Sequence, residues 1–383
     1  MTNSFIIDHR PTFCTLFLLW NAALTKDVGL INYGMGMFGG YDAFGTVYPD
    51  IELPNLKYIP GFRLEIIPKI TGNQLKDQLL WLKKNAKRID VLNVYHMNST
   101  SFAKVLVYKL FNPKGKVYLK LDRSVHSGTR MPFLKWAASY LNWRKPAFFM
   151  LRKMCTIIST EFPENIETLH NWWPNDRHKI ICVPNPLNPN EIREYSPFSK
   201  RSNVILTVGR LGTKPKATEI LLEAFAKIAD KIPNWKLKLA GDISENMNIA
   251  DDFFAKYPDL KEQVIFTGNI VDREEMTETY RDAKIFAFPS RHESWGIALT
   301  EAMMNGCFCI TSRIPSSMKL TENFKFVLCH DVDDVDGLAE NLLYACTHEY
   351  EIESLAIKGR EAALRRCDLK RISENIAEEL KRT

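Results

Sequence analysis

The stretch Phe286-Ala-Phe-Pro-Ser-Arg-His-Glu-Ser-Trp-Gly-Ile-Ala-Leu-Thr-Glu-Ala-Met-Met-Asn-Gly306 reads as strand, tight loop, helix and stop. Ile285 to Phe288 is a short apolar run closed by Pro289-Ser290, and Cys307 to Thr311 is another. The spacing predicts a helix of about three turns between two buried parallel strands. In such a βαβ unit the loop lies at the carboxyl ends of the strands, where open α/β sheets bind ligands. The helix starts near Gly296 with the N–H groups of its first turn unpaired and facing the same crevice, which suits an anion. Glu293 lies just ahead of that helix and Glu301 just inside its second turn, so both can reach a ligand whose phosphates sit on the helix N-terminus. A carboxylate accepts two hydroxyls well, as a ribose or a hexose would offer. The plainer alternative makes Glu293 an acid complementing the helix dipole and Glu301 a solvated face residue.

Two glutamates separated by seven residues, in the setting Ser290-Arg291-His292-Glu293-Ser294-Trp295-Gly296, resemble the donor-sugar motif of the retaining glycosyltransferases of family 4, of the kind found in bacterial polysaccharide synthesis. That resemblance implies the GT-B fold: two Rossmann-like, doubly wound parallel-sheet α/β domains facing a central cleft, with a C-terminal helix crossing back to the first. It also implies metal-independent transfer of a sugar from a UDP- or GDP-sugar to a glycan or lipid-linked acceptor, with no other cofactor. The motif-level likeness is confined to the second half; the first half matches in architecture alone.

Other residues of the second half fit the same picture. Asn203 to Gly212 is a buried strand ending in Gly209-Arg210, and Thr213-Lys-Pro-Lys216 leads into a helix from Thr218. Arg210 and Lys216 therefore fall at the same strand-end crevice as Glu293. In the resembled family an Arg and a Lys here hold the donor diphosphate; Ala217 stands where a glycine is common, and Lys214 is an alternate cation. Fixed cations and helix amides are one physical route to stabilising a departing diphosphate, a bound metal the other, and no Asp or His cluster has metal spacing. The resemblance gives Glu301 the ribose, Glu293 the transferred sugar, and the amides of Ser294, Trp295 and Gly296 the diphosphate. It sets the nucleobase against the loops at Gly241 and Gly268. Asp331, Asp333, Asp334 and Asp336 read as helix caps rather than as a metal site.

At 383 residues the chain suits two domains, assigned as 1–195 and 196–365 with a crossing helix at 366–383. With 45% hydrophobic and 25% charged residues and no run long enough to span a bilayer, it reads as a globular protein. The apolar run Thr12 to Leu24 is read as a first strand rather than a signal peptide. Eight cysteines without paired CxxC spacing point to a reducing cytoplasm. Residues 1–195 carry 25 Lys and Arg against 15 Asp and Glu, whereas the remainder carries 26 against 30. A basic first half favours anionic partners, and no nucleic-acid-binding signature accompanies it.

Within that half, apolar runs alternate with helical patterns as a parallel sheet requires. Gly29 is placed at the opening of the first helix, and Gly34, Gly36, Gly39 and Gly40 fit close helix packing as well as phosphate binding. Asp122 closes the strand Lys116 to Leu121, with His126 four residues on, and His96 closes Val91 to Tyr95. The resemblance places Asp122, and with it His126, beside the acceptor and the transferred sugar; loop capping is the alternative. For His96 a structural role is favoured. Residues 132–154 interleave Trp, Tyr and Phe with basic residues, and Pro146 is expected to divide them into two short helices. They read either as an interfacial segment against an anionic inner membrane leaflet or as helices packed on the sheet with a solvated basic face. Two further readings of the whole chain stay open here: a nucleotide-sugar epimerase or hydrolase on the same fold, and an inactive partner subunit.

Overall fold

Strand and helix alternate along the chain in two blocks, and each block closes on its own parallel sheet. The structure, a computed structural model, describes residues 10–121, 144–243 and 248–383. Asp122, His126 and residues 132–143 lie outside the described residues. Contacts divide the chain into two compact units, Met1–Asn188 with Asp368–Thr383, and Pro189–Cys367.

The first unit holds seven described strands: β1 Thr12–Leu18, β2 Asp42–Val47, β3 Arg63–Ile66, β4 Val91–Tyr95, β5 Lys116–Lys120, β6 Ile157–Thr160 and β7 Ile180–Cys182. They pair in the order β3-β2-β1-β4-β5-β6-β7, every pair parallel. One side packs Cys14, Leu16, Leu92 and Val117 against Trp81, Val105, Tyr108 and Leu151 from the helices Gln74–Asn85, Ser99–Phe111 and Arg144–Met154. On the other side Phe13, Tyr118 and Ile157 meet Ile31 and Met35 of the helix Asp27–Met37. The last helix, Leu369–Arg382, adds Ile372, Ile376 and Leu380 to that same core. Burial of each of these aliphatic side chains is worth about 1.5–3 kcal/mol, which is enough to hold a terminal helix in place. Asp368 caps it by accepting the Arg371 N–H at 2.7 Å.

One sequence expectation changes here. The helix expected to open at Gly29 starts at Asp27, and Gly29 is its third residue. A Cβ there would lie 2.1 Å from the Leu24 carbonyl oxygen, so the glycine serves the tight passage from the short helix Asn21–Leu24. Gly34 likewise admits the last helix, since a Cβ would lie 2.1 Å from Ser373 Oγ. Arg144–Met154 is one helix that contains Pro146; the expected division of 132–154 there involves residues 132–143, outside the described residues.

The second unit holds β8 Ser202–Val208, β9 Lys236–Ala240, β10 Val264–Gly268, β11 Ala283–Phe288, β12 Phe308–Ser312 and β13 Leu328–His330. Their order is β10-β9-β8-β11-β12-β13, again all parallel. All six residues of β11 are buried, Lys284 among them, as a strand covered on both faces requires, and Ile285 to Phe288 form its apolar run. The following helix, Ile297–Met304, has eight residues, about two turns rather than three. Gly306, at φ +75°, turns the chain out of it into β12. Strand order reverses between β8 and β11, and that reversal sets the site.

Candidate active site

At the carboxyl ends of β8, β9 and β10, three of the predicted glycines are joined by backbone. The Gly209 N–H donates to the Ala240 carbonyl at 3.1 Å, and the Gly241 N–H to the Gly268 carbonyl at 2.9 Å. Gly241 has φ +150°, and a Cβ on it would lie 1.7 Å from the Gly209 carbonyl oxygen. Only glycine lets the two strand ends pass so closely. Gly268, at φ +74°, faces open space. Arg210 is exposed at the same edge, and its carbonyl accepts from Thr213 Oγ1 at 2.9 Å, which curls the next loop back on the strand.

That loop carries Lys216 in a short 3₁₀ turn, Lys214–Lys216. Ala217 follows with φ 49° and ψ 41°, a left-handed conformation a glycine would adopt more readily, and the helix Thr218–Ala226 begins after it. The aliphatic stem of Lys216 runs over Gly209, where a Cβ would come within 3.2 Å of its Cε. Its ammonium then reaches the loop after β11 and donates to Glu293 Oε1 at 2.5 Å. Ser290 Oγ donates to the same oxygen at 2.9 Å. Lys216 and Glu293, 77 residues apart, thus form one ion pair across the sheet's reversal, with side chains 20% and 16% exposed.

Arg291, given no role by the sequence, fastens these two loops. Its guanidinium donates to Asp333 Oδ1 at 2.6 Å, the Lys214 carbonyl at 2.7 Å and Glu219 Oε1 at 2.5 Å. Its own N–H donates to the Pro215 carbonyl at 2.8 Å. Such a planar fork suits three acceptors in a way an ammonium would not. Asp333 is therefore part of the loop lock. Asp334 caps the helix Val335–Thr347 through the Gly337 N–H at 2.9 Å, while Asp336 pairs with Lys227 and Asp331 lies 3.7 Å from Arg313. Among the described residues no group of three His, Cys, Asp or Glu is placed to hold a metal ion.

The helix Ile297–Met304 starts from Gly296 at φ +100°, so its first-turn amides point out at this edge. Ser294, Trp295 and Gly296 lead into it. The Trp295 indole, however, is buried and donates to Thr300 Oγ1 at 3.0 Å, which leaves that residue only its backbone for a ligand. Glu301 is no solvated face residue: it is 9% exposed. Its Oε1 accepts from Arg273 Nη2 at 2.6 Å and its Oε2 from the Tyr280 hydroxyl at 3.1 Å. Arg273 also reaches Glu191 Oε2 at 2.6 Å. Burial works against the Arg273 charge, yet the carboxylates of Glu301 and Glu191 hold its pKa above the ordinary value. Burial, reinforced by Glu301, pushes the Tyr280 hydroxyl well up, so it stays a donor. Each Glu301 oxygen thereby has one fixed donor and a lone pair to spare. In the first unit His96 takes a left-handed conformation, φ 64°, and its N–H donates to the Lys120 carbonyl at 2.9 Å.

The sequence profile of the group 1 glycosyl transferases matches residues 188–362. An uncharacterized glycosyltransferase of Haemophilus influenzae is 31% identical over 300 residues, covering 73% of this chain and 79% of that protein. The chain is a group 1 glycosyltransferase. The mannosylfructose-phosphate synthase of Agrobacterium fabrum is 24% identical over 216 residues; the match covers 52% of this glycosyltransferase and 47% of the synthase, about half its length. Among solved structures, Anabaena HepE in complex with UDP and glucose superposes with a TM-score of 0.73 at 14% identity, covering 97% and 99% of the two chains. That superposition shows a shared GT-B fold.

Proposed function

We propose that this glycosyltransferase is a retaining enzyme of family 4 that uses a nucleoside diphosphate sugar as donor and a glycan or lipid-linked molecule as acceptor, in polysaccharide or glycoconjugate synthesis. The observation that carries the reading is the pairing of Lys216 with Glu293 beside the N-terminus of the helix Ile297–Met304. A cation, a hydroxyl-accepting carboxylate and a row of backbone N–H groups at one strand-end reversal match a diphosphate joined to a sugar. UDP or GDP fits this chemistry, and the UDP bound by HepE supports the uridine nucleotide.

In the proposed reaction the bond between the anomeric carbon and the diphosphate oxygen breaks, and its electron pair leaves with the diphosphate. Arg210, Lys216 and the amides of Ser294, Trp295 and Gly296 stabilise that charge. Glu293 positions the sugar through its hydroxyls, and Glu301, oriented by Arg273 and Tyr280, accepts the ribose hydroxyls. Gly209, Gly241 and Gly268 leave room for the nucleotide. The acceptor oxygen bonds to the anomeric carbon from the face the diphosphate leaves, and its proton passes to the departing phosphate oxygen. Asp122 and His126 keep their proposed place on the acceptor side.

Donor turnover with product stereochemistry tests the proposal. Retained anomeric configuration, and loss of transfer in Glu293→Ala with an unchanged melting temperature, are expected. Inverted product would overturn the retaining assignment, and full activity in Glu293→Ala would overturn the site.

A further inference from the structure

The helices Gln74–Asn85, Ser99–Phe111 and Arg144–Met154 lie side by side over one side of the first unit's sheet. Their inward faces supply core residues, and a helix of this kind normally turns charged residues outward. Here the outward faces also carry large apolar side chains: Leu80, Leu106, Leu110, Phe149 and Met150 are all exposed, Leu110 at 67%. Leu106 and Leu110 stand one turn apart on one helix face. Around them Lys76, Lys83, Lys84 and Lys153 are exposed. Two of these lie over exposed rings, Lys83 Nζ at 5.7 Å from the Phe111 centroid and Lys153 Nζ at 5.6 Å from that of Phe149. The three helices contain a single carboxylate, Asp77. It is fully buried, held by Thr71 at 2.7 Å and Tyr48 at 3.2 Å, and adds no negative charge to the surface.

We propose that this outer face is a docking surface for an anionic lipid bilayer, with the lysines on headgroup phosphates and the leucines, Phe149 and Met150 at the acyl boundary. The charge is complementary to such a surface, and the apolar residues give it a depth that charge alone would not. A nucleic acid would need the lysines but has no use for Leu106, Leu110 and Met150. The inference rests on the transferase reading only for its purpose, since a lipid-linked acceptor is met at a membrane.

The test is co-sedimentation of the full chain with phosphatidylcholine vesicles, with and without phosphatidylglycerol, at low and moderate salt. Binding to the anionic vesicles is expected, falling with salt and roughly fivefold for each lysine neutralised in Lys83→Gln and Lys84→Gln. The Leu106→Glu/Leu110→Glu double variant, altered at exposed positions, should lose it while keeping its melting temperature. No binding to anionic vesicles at low salt overturns the proposal. So does a leucine variant that binds as well as the parent, which would mark simple polyanion binding. A thermal-shift assay with UDP and with GDP on the same preparations reads the donor site separately: vesicle binding with a shift from neither nucleotide would defeat the donor-site reading and leave the surface standing.

Discussion

Both sheets reverse strand order in the same way, yet they treat charge at their carboxyl ends differently. In the second unit Lys216 and Glu293 meet at partly open loops, 20% and 16% exposed. In the first unit Lys120, the last residue of β5, is wholly buried and donates to Asn185 Oδ1 at 2.7 Å, with Asp27 at 3.2 Å and Glu161 at 3.7 Å. Asn185 in turn donates to Glu161 Oε1 at 2.7 Å. The Lys216 cluster is partly open and, in the proposed function, exchanges its internal partner for a ligand; the Lys120 cluster is sealed and spends its charges on itself. A doubly wound topology therefore offers a position, and exposure decides whether that position can bind.

If that contrast is right, removing charge from the two clusters should damage different properties. The largest effect expected is on folding: Lys120→Met leaves Asp27 and Glu161 buried without their cation, at a cost of about 3–5 kcal/mol in denaturant unfolding. Lys216→Ala should instead lower transfer by roughly 10²- to 10³-fold, the loss typical of one preorganised group on a developing anion, with little change in unfolding. Equal damage to stability from both substitutions would erase the distinction.

A third cation sharpens it through pH. Lys104 is buried in the first unit, and burial lowers its pKa from 10.5 to about 8. Its ammonium donates to the Leu16 carbonyl at 3.2 Å. Between pH 8 and 10.5 the unfolded chain holds at Lys104 a proton the folded chain has lost, so the contribution of Lys104 to stability rises with pH across that window, and its full deficit is present below it. Lys104→Met should raise stability at pH 7 by up to about 3 kcal/mol, and its advantage over the parent should shrink as pH rises through that window. A parent-to-variant difference that does not change with pH would refute the buried-charge account. The smallest effect is reserved for a cap remote from both clusters. Asn73 accepts the Lys76 N–H at 3.1 Å at the start of its helix, and Asn73→Ala should cost about 1 kcal/mol without slowing transfer.

Much of this was readable in the residues, because the signals concerned were local. Apolar runs bounded by Pro289-Ser290 or by Gly241-Asp242 mark strand ends whatever lies elsewhere in the chain, and their alternation with helices implies parallel sheets. The charged loops at Lys216 and Glu293 fell at one crevice for the same reason. What stayed hidden depends on distant partners. Arg291 acquires its role from Glu219, 72 residues back, and Asp333, 42 ahead. Arg273 sits beside the cap Asp272 like any polar first-turn residue until Glu191 and Glu301 close on it. Gly29 misled because a glycine near a helix start fits a ligand loop and a cramped helix junction alike.

Calorimetric titration of UDP against uridine, in the parent protein and in Arg210→Ala, tests most directly whether the reversal of the second sheet holds a diphosphate. The account predicts that UDP binds far more tightly than uridine and that Arg210→Ala removes most of that advantage while leaving uridine binding unchanged. Equal affinities for the two ligands in the parent protein would contradict it.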